Sequence, residues 1–452
     1  VRSASKLPWY IVNMVEGHES VLSLSSYRSN AFKPNAIFAA KVLISEYKHH
    51  VLQNSNFIDY AWENDIVTVT DSGLDYTHCA FTTSQVPKYV YNGLNRRQIE
   101  ADIGHQTFKG KVVGYVKLGI PMLAETDFED PLEDGGHGTH VSGIGDGDGC
   151  LGRVNKMRIL MVDLMKKGDE FLQLPPFFSD LLSISYNAGS RVMTNSWGDL
   201  KGGKSYTQLA REMDEFLMAH DDYMILQASG NDGRLGVHDP GTFKNGITVG
   251  ASLSSYASWL AHFPHSVGIG TRADIYNEEN LFEFSSRGGL GGRQKPDLVG
   301  PGGVLMSSRP GGGVVGKLGT SMATPLVAWR YMMVRAQLPK DVSALVPYGI
   351  MMAESDLLEG WLVEYSSVGA FRREKLERAD QGWGLARGRA NPSKWRWFDR
   401  VEMVEGVREW CFTAPHKGRE HRVVLLWRDV PSWPGSDGAL VVDYDLRVVL
   451  QK

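Results

Sequence analysis

The sequence predicts an α/β fold: a mainly parallel sheet covered on both faces by helices. Three observations carry this. Six short apolar runs alternate with helical stretches between Ile66 and Gly250. The runs are rich in branched residues and bounded by turn formers, as buried strands are. The clearest helical stretch repeats its apolar residues at helical spacing.

Taken in order, the strands are "IVTVT" (66–70), "KVVGYV" (111–116), "MRILMV" (157–162), "RVMTN" (191–195), "YMILQA" (223–228) and "GITVG" (246–250). In "YTQLAREMDEFLMAH", Leu209, Met213, Phe216 and Leu217 make an apolar face, and Arg211, Glu212, Asp214 and Glu215 occupy the wet one. Strands alternating with helices bind ligands beyond the carboxyl ends of the strands, so residues that directly follow a strand are the first place to look for chemistry. "NAIFAAKVLISEYKHHV" (35–51) predicts a helix, and little apolar helix is expected after Val334. Beyond about Asn391, "HRVVLLW" (421–427) and "ALVVDYDLRVVL" (439–450) read as strands of an incomplete β module.

Composition narrows the class. The 452 residues are 42% hydrophobic and 22% charged, with a formal charge of −4. That balance suits a globular protein and offers no electrostatic reason to expect a nucleic acid or an anionic membrane surface. No apolar run reaches the roughly 18 residues of a membrane span. Cys79, Cys150 and Cys411 are odd in number and lack CxxC spacing, so neither a disulfide framework nor a cysteine zinc site is expected. The chain opens at Val1 without a signal-like segment and reads as a mature form or a fragment.

Four stretches carry candidate chemistry. Asp71 in "TVTDSGLDYTH" follows the first strand, and His137 in "EDGGHGTHVSGIG" stands among glycines that leave an imidazole unobstructed. Ser321 in "KLGTSMATPL" is placed at a helix start by Pro325, since proline is tolerated in a first turn. Free amides and the positive dipole end there favour developing negative charge. Asn231 in "ILQASGNDG" lies on a loop beyond a strand. Each has an ordinary reading alone: a turn acid, a core histidine, an N-cap serine, a turn asparagine. His140 permits a metal site, though a core histidine bonded to backbone is preferred because no further ligand pattern accompanies it. Together, an acid, an imidazole and a hydroxyl supply the groups of an acyl-transfer triad, in which a base makes an otherwise weak serine nucleophile reactive.

"DSGLDYTH", "GHGTHVSG" and "GTSMATP", in that order, resemble the three signature stretches of the subtilisin-like serine proteases, the subtilases. The resemblance runs from about Asn56 to Ala390. It implies a subtilisin-like fold and a serine endopeptidase with Asp71, His137 and Ser321 as the triad, and with Asn231 and the Ser321 amide as oxyanion donors. It also implies that Ser196, Trp197, Gly198, Ala228, Ser229 and Gly230 line the cleft and hold an extended polypeptide. Trp197 reads equally as core. The terminal strands resemble the β-sandwich of larger subtilases. The expected division is 1–55 as an N-terminal extension or propeptide remnant, 56–395 as the catalytic domain and 396–452 as the incomplete β domain. A monomer that is secreted or resident in an endomembrane lumen is implied, with no cofactor. Calcium is a common structural ion in the family, but Ala80 replaces an acidic residue often found there, so no metal is assigned. Trp329 and Arg330 depart from the small residues expected on the serine-bearing helix, where an indole could cost ~1–3 kcal/mol or shift the helix. These departures leave a second reading, a catalytically impaired relative that binds peptides or proteins.

Overall fold

The computed structural model describes residues 19–28, 39–46, 65–81, 86–104, 110–119, 136–146, 157–166, 171–199, 205–254, 276–365, 371–386, 395–397, 399–402, 407–413, 421–437 and 440–450. Seven parallel strands form the body of an eleven-stranded sheet. Their spatial order is Ile247–Ser252, Met224–Ala228, Val192–Asn195, Ile66–Asp71, Arg158–Asp163, Val112–Leu118 and Lys88–Tyr91. The six expected strands are among them. Leu298–Pro301 also pairs parallel with Ile247–Ser252, and Leu281–Phe282 with the hairpin Trp361–Tyr365/Phe371–Lys375 extends that edge.

The strand Ile66–Asp71 lies mid-sheet; the chain next runs to the Lys88–Tyr91 edge and builds back to it through Val112–Leu118 and Arg158–Asp163, then crosses to its other side and builds outward from Val192–Asn195. Later strands thus lie on its two sides and leave a crevice at its carboxyl end. Asp71 closes that strand.

Alternation along the strands divides the core into two layers. Ile66, Met193 and Ile225 face the helices Arg96–Gly104, Phe178–Asn187 and Gln208–Ala219. Val67, Val192, Met224 and Leu226 face the long helix Thr320–Arg335 and the helix Leu345–Glu354. The latter corrects the expectation of little apolar helix after Val334. Its segment "LVPYGIMMAE" carries a proline, but Pro347 sits in the first turn, where its missing N–H costs no bond. Trp329 does not occupy the close-packed spot feared for it. Ala323, Val327 and Ala328 face the core while the indole packs partly buried at its rim, and Arg330 donates to the Ala386 carbonyl.

Over 39–46 the expected helix is instead a strand, Ala39–Glu46, and the rest of that stretch lies outside the described residues. It pairs with Trp395–Trp397, Val401–Glu402 and His421–Leu426, while Glu19–Arg28 pairs with Val407–Thr413 and Val442–Leu450. Helical spacing of its apolar residues misled because β pairing with distant segments overrode local preference. Strands from both ends of the chain therefore share two small sheets.

The C-terminal segment is wired into the α/β body. Lys244 Nζ lies 2.6 Å from Asp429 Oδ2, with side chains only 1% and 3% exposed, and also donates to Ser432 Oγ at 3.0 Å. Arg428 donates to the carbonyls of His220, Asp221 and Tyr223. Lys244→Met would leave a buried carboxylate without its cation. The expected loss is about 3–5 kcal/mol of unfolding free energy, read by chemical denaturation; a change below about 1 kcal/mol would show that the pair does not hold the segment.

Candidate active site

His137 opens the helix His137–Asp146, and its Nδ1 lies 2.7 Å from Asp71 Oδ1. The same oxygen accepts the Ser72 amide at 2.8 Å. The carboxylate is 1% exposed and the imidazole 28%, so the acid is dry while the ring reaches solvent. Close approach depends on Gly138. A side-chain carbon there would fall 2.2 Å from the Gly73 carbonyl and 3.2 Å from Asp71 Cβ.

Ser321 is the second residue of its helix, and the cap position is Gly319, whose φ of 144° favours glycine. The helix begins one residue earlier than expected, so Pro325 falls just past the first turn. There it removes the amide that would have bonded the Ser321 carbonyl. Ser196 Oγ supplies the missing donor at 2.8 Å, and the Ser321 hydroxyl in turn donates to the Ser196 carbonyl at 3.0 Å. Val69 of the Asp71 strand, Val141 of the His137 helix and Met322, next to Ser321, join one apolar cluster. Packing of that cluster sets the relative height of the three chemical groups.

Asn231 is turned by its oxygen. Oδ1 accepts the Thr320 amide at 3.0 Å and the Thr320 hydroxyl at 3.1 Å, so Nδ2 takes no part in that contact. The Gly230 amide donates to the same threonine hydroxyl at 3.2 Å. A side-chain carbon on Gly319 would sit 3.5 Å from Asn231 Nδ2 and 3.7 Å from the Ser321 amide nitrogen. The same point is 3.6 Å from Asn231 Oδ1, so the Asn231 side-chain amide and the Ser321 amide nitrogen lie close together at the start of the serine-bearing helix.

The cleft-lining residues separate into two groups. Trp197 and Gly198 are half-buried beside buried Ser196. The Trp197 indole donates to Thr70, at 3.0 Å to its carbonyl and 2.9 Å to its hydroxyl, and stands edge-on to Phe178, which makes it a fixed wall. Ala228, Ser229 and Gly230 are buried, and the amides of Ser229 and Gly230 donate inward to Val249 and Thr320. They back the site, with these two amides turned away from the cleft side. His238 was not singled out in the sequence. Its ring lies where a side chain on Gly230 would go, 2.4 Å away, and its Nε2 meets Asp232 Oδ2 at 2.6 Å. Only the two glycines that leave room for it, Gly198 and Gly230, hinted at its place.

Among the described residues no group of three or more His, Cys, Asp or Glu is arranged to hold a metal ion. Ala80 lies fully buried in the apolar cluster with Phe81 and Tyr115, surroundings that do not fit calcium at that position. Cys79 is disulfide-bonded. Sequence spacing did not foretell it, because the pairing is made by the fold and not by proximity along the chain. No helix of the described residues is long and apolar enough to cross a membrane.

The subtilase family model matches residues 63–377. The serine protease/ABC transporter B family protein tagD of Dictyostelium discoideum is 26% identical over 93% of this chain and 29% of its own length. The thermophilic serine proteinase of Bacillus sp. (strain AK1) is 23% identical over 66% of this chain and 60% of its own. The solved protease domain of PatA is 18% identical, aligned over 68% of this chain and 94% of that one with a TM-score of 0.43. The chain spans less than a third of the length of tagD and of the similar tagB.

Proposed function

This chain belongs to the subtilase family, and from that premise we propose that it is a serine endopeptidase acting through Asp71, His137 and Ser321. The observation that supports the reading most is the Asp71–His137 contact of 2.7 Å, with the His137 helix and the serine-bearing helix packed in one apolar cluster through Val141 and Met322. Ser321 attacks the peptide carbonyl as its proton passes to His137, so its hydroxyl must leave the Ser196 carbonyl that it bonds at rest. Asp71 holds the Nδ1–H tautomer and stabilises the imidazolium. Asn231 Nδ2 and the Ser321 amide receive the oxyanion. His137 then protonates the leaving amine, and water hydrolyses the acyl-enzyme by the same route. The polypeptide lies along Ser196, Trp197 and Gly198.

Labelling with a fluorophosphonate tests this. Enzyme activity predicts an adduct on Ser321 that is absent from Ser321→Ala; folded, unlabelled wild-type protein would favour the peptide-binding alternative. Asn231→Ala is expected to lower kcat by about 10²–10³-fold with little change in KM, because its amide acts on charge that exists only in the transition state. Steady-state kinetics on a peptide substrate reads both.

Secretion or residence in an endomembrane lumen is supported by the Cys79 disulfide, since such bonds persist in oxidising compartments. Mass analysis of non-reduced protein taken from its cell would refute this by finding Cys79 free.

A further inference from the structure

His140 lies one helical turn beyond His137, is fully buried, and takes no part in the mechanism above. Its Nε2 is 3.1 Å from the Leu305 carbonyl and 3.0 Å from the Val315 carbonyl. Two acceptors at one nitrogen require that nitrogen to carry the proton, so the ring is the Nε2–H tautomer. Nδ1 has no partner among the described residues. Burial holds the imidazole's pKa down to about 3, with the nearby charges of His137 on its own helix and Lys317 on the facing hairpin adding to the effect, so it stays a neutral donor at any working pH.

The carbonyls belong to the two strands of one hairpin, Leu305–Ser308 and Val314–Lys317, which ends three residues before Thr320 and feeds the serine-bearing helix. The hairpin reaches every carrier of the triad. Ser307 Oγ donates to the His140 carbonyl and Ser308 Oγ to the Thr139 carbonyl, both at 2.7 Å. Gly143 gives these hydroxyls room, for a side-chain carbon there would sit 2.2 Å from Ser308 Oγ. At its tip, the Gly311 amide donates to Asp75 and His78 Nε2 donates to the Gly313 carbonyl, which ties the hairpin to the loop after Asp71.

Resting on the protease reading, we infer that His140 is a positioning residue: its single N–H pins both strands of the 305–317 hairpin to the His137 helix and so sets Ser321 in register with the base. The inference concerns alignment of groups and not substrate contact. It therefore separates kcat from KM.

His140→Leu keeps the bulk and removes the donor. It is expected to lower kcat, and the rate of fluorophosphonate labelling, by about 10–100-fold with KM within twofold, as misplacement by an ångström does. His140→Gln, whose amide can again donate, is expected to recover most of the loss. A folded His140→Leu with wild-type kcat, or equal impairment of the Leu and Gln variants, would overturn the inference. If the Leu variant does not fold, His140→Asn, with a donor too short to reach both carbonyls, decides: lowered kcat at unchanged KM supports the pin, and unchanged kcat refutes it. Absence of labelling in the wild type would be a failure of the protease reading instead.

Discussion

Ser321→Ala is expected to lower kcat for peptide hydrolysis by roughly a millionfold, the scale at which a triad serine acts. The substitution removes one oxygen, whose resting partner is the Ser196 carbonyl. The helix start is untouched, because Gly319 caps it and Ser196 Oγ still satisfies the residue 321 carbonyl. Stability should therefore change by less than about 1 kcal/mol, within the range of a lost net hydrogen bond. Residual hydrolysis of about 10³–10⁴ over water is expected from the oxyanion donors and from binding. Single-turnover kinetics with product analysis measures it. A variant retaining a tenth of wild-type activity would remove Ser321 from the mechanism.

Asp71→Asn is expected to cost about 10⁴-fold in kcat while leaving the protein folded. One carboxylate oxygen serves both the Ser72 amide and His137 Nδ1. If the new amide keeps its oxygen there, the geometry survives but the negative charge that stabilises the imidazolium is gone. If it turns its nitrogen toward the ring, it forces the wrong tautomer and strands the Ser72 N–H. Either arrangement disables proton transfer. Because the serine and acid act as one unit, the double variant Ser321→Ala/Asp71→Asn should be no slower than Ser321→Ala alone. Additive losses in that comparison would mean that Asp71 works through something other than His137.

The parallel sheet was legible because its information is local. A buried strand in this fold is apolar on both faces, so "IVTVT" or "MRILMV" declares itself without reference to any partner. The Ala39–Glu46 strand was misread for the opposite reason, since its state is set by pairing with residues 350 or more positions away. Pro325 and Gly319 marked the start of the serine-bearing helix to within one residue, as backbone sterics act at short range. The reciprocal Ser196–Ser321 pair spans 125 residues and had no local sign. Nor did the donation of the Ser229 and Gly230 amides to Val249 and Thr320, since only the fold brings those acceptors to them.

Residue type, turn chemistry and short-range periodicity were enough to pick out candidate chemistry at Asp71, His137, Asn231 and Ser321, the elements expected to bear it and the family that their motifs resemble. Only the tertiary structure decided that Asp71 meets His137 across 66 residues, that Thr320 turns Asn231, and that His140 holds the hairpin leading to Ser321. Those relations follow from sheet order and from the packing of Val69, Val141 and Met322 in one cluster, and a close-packed core fixes such distances in ways that spacing along a chain does not.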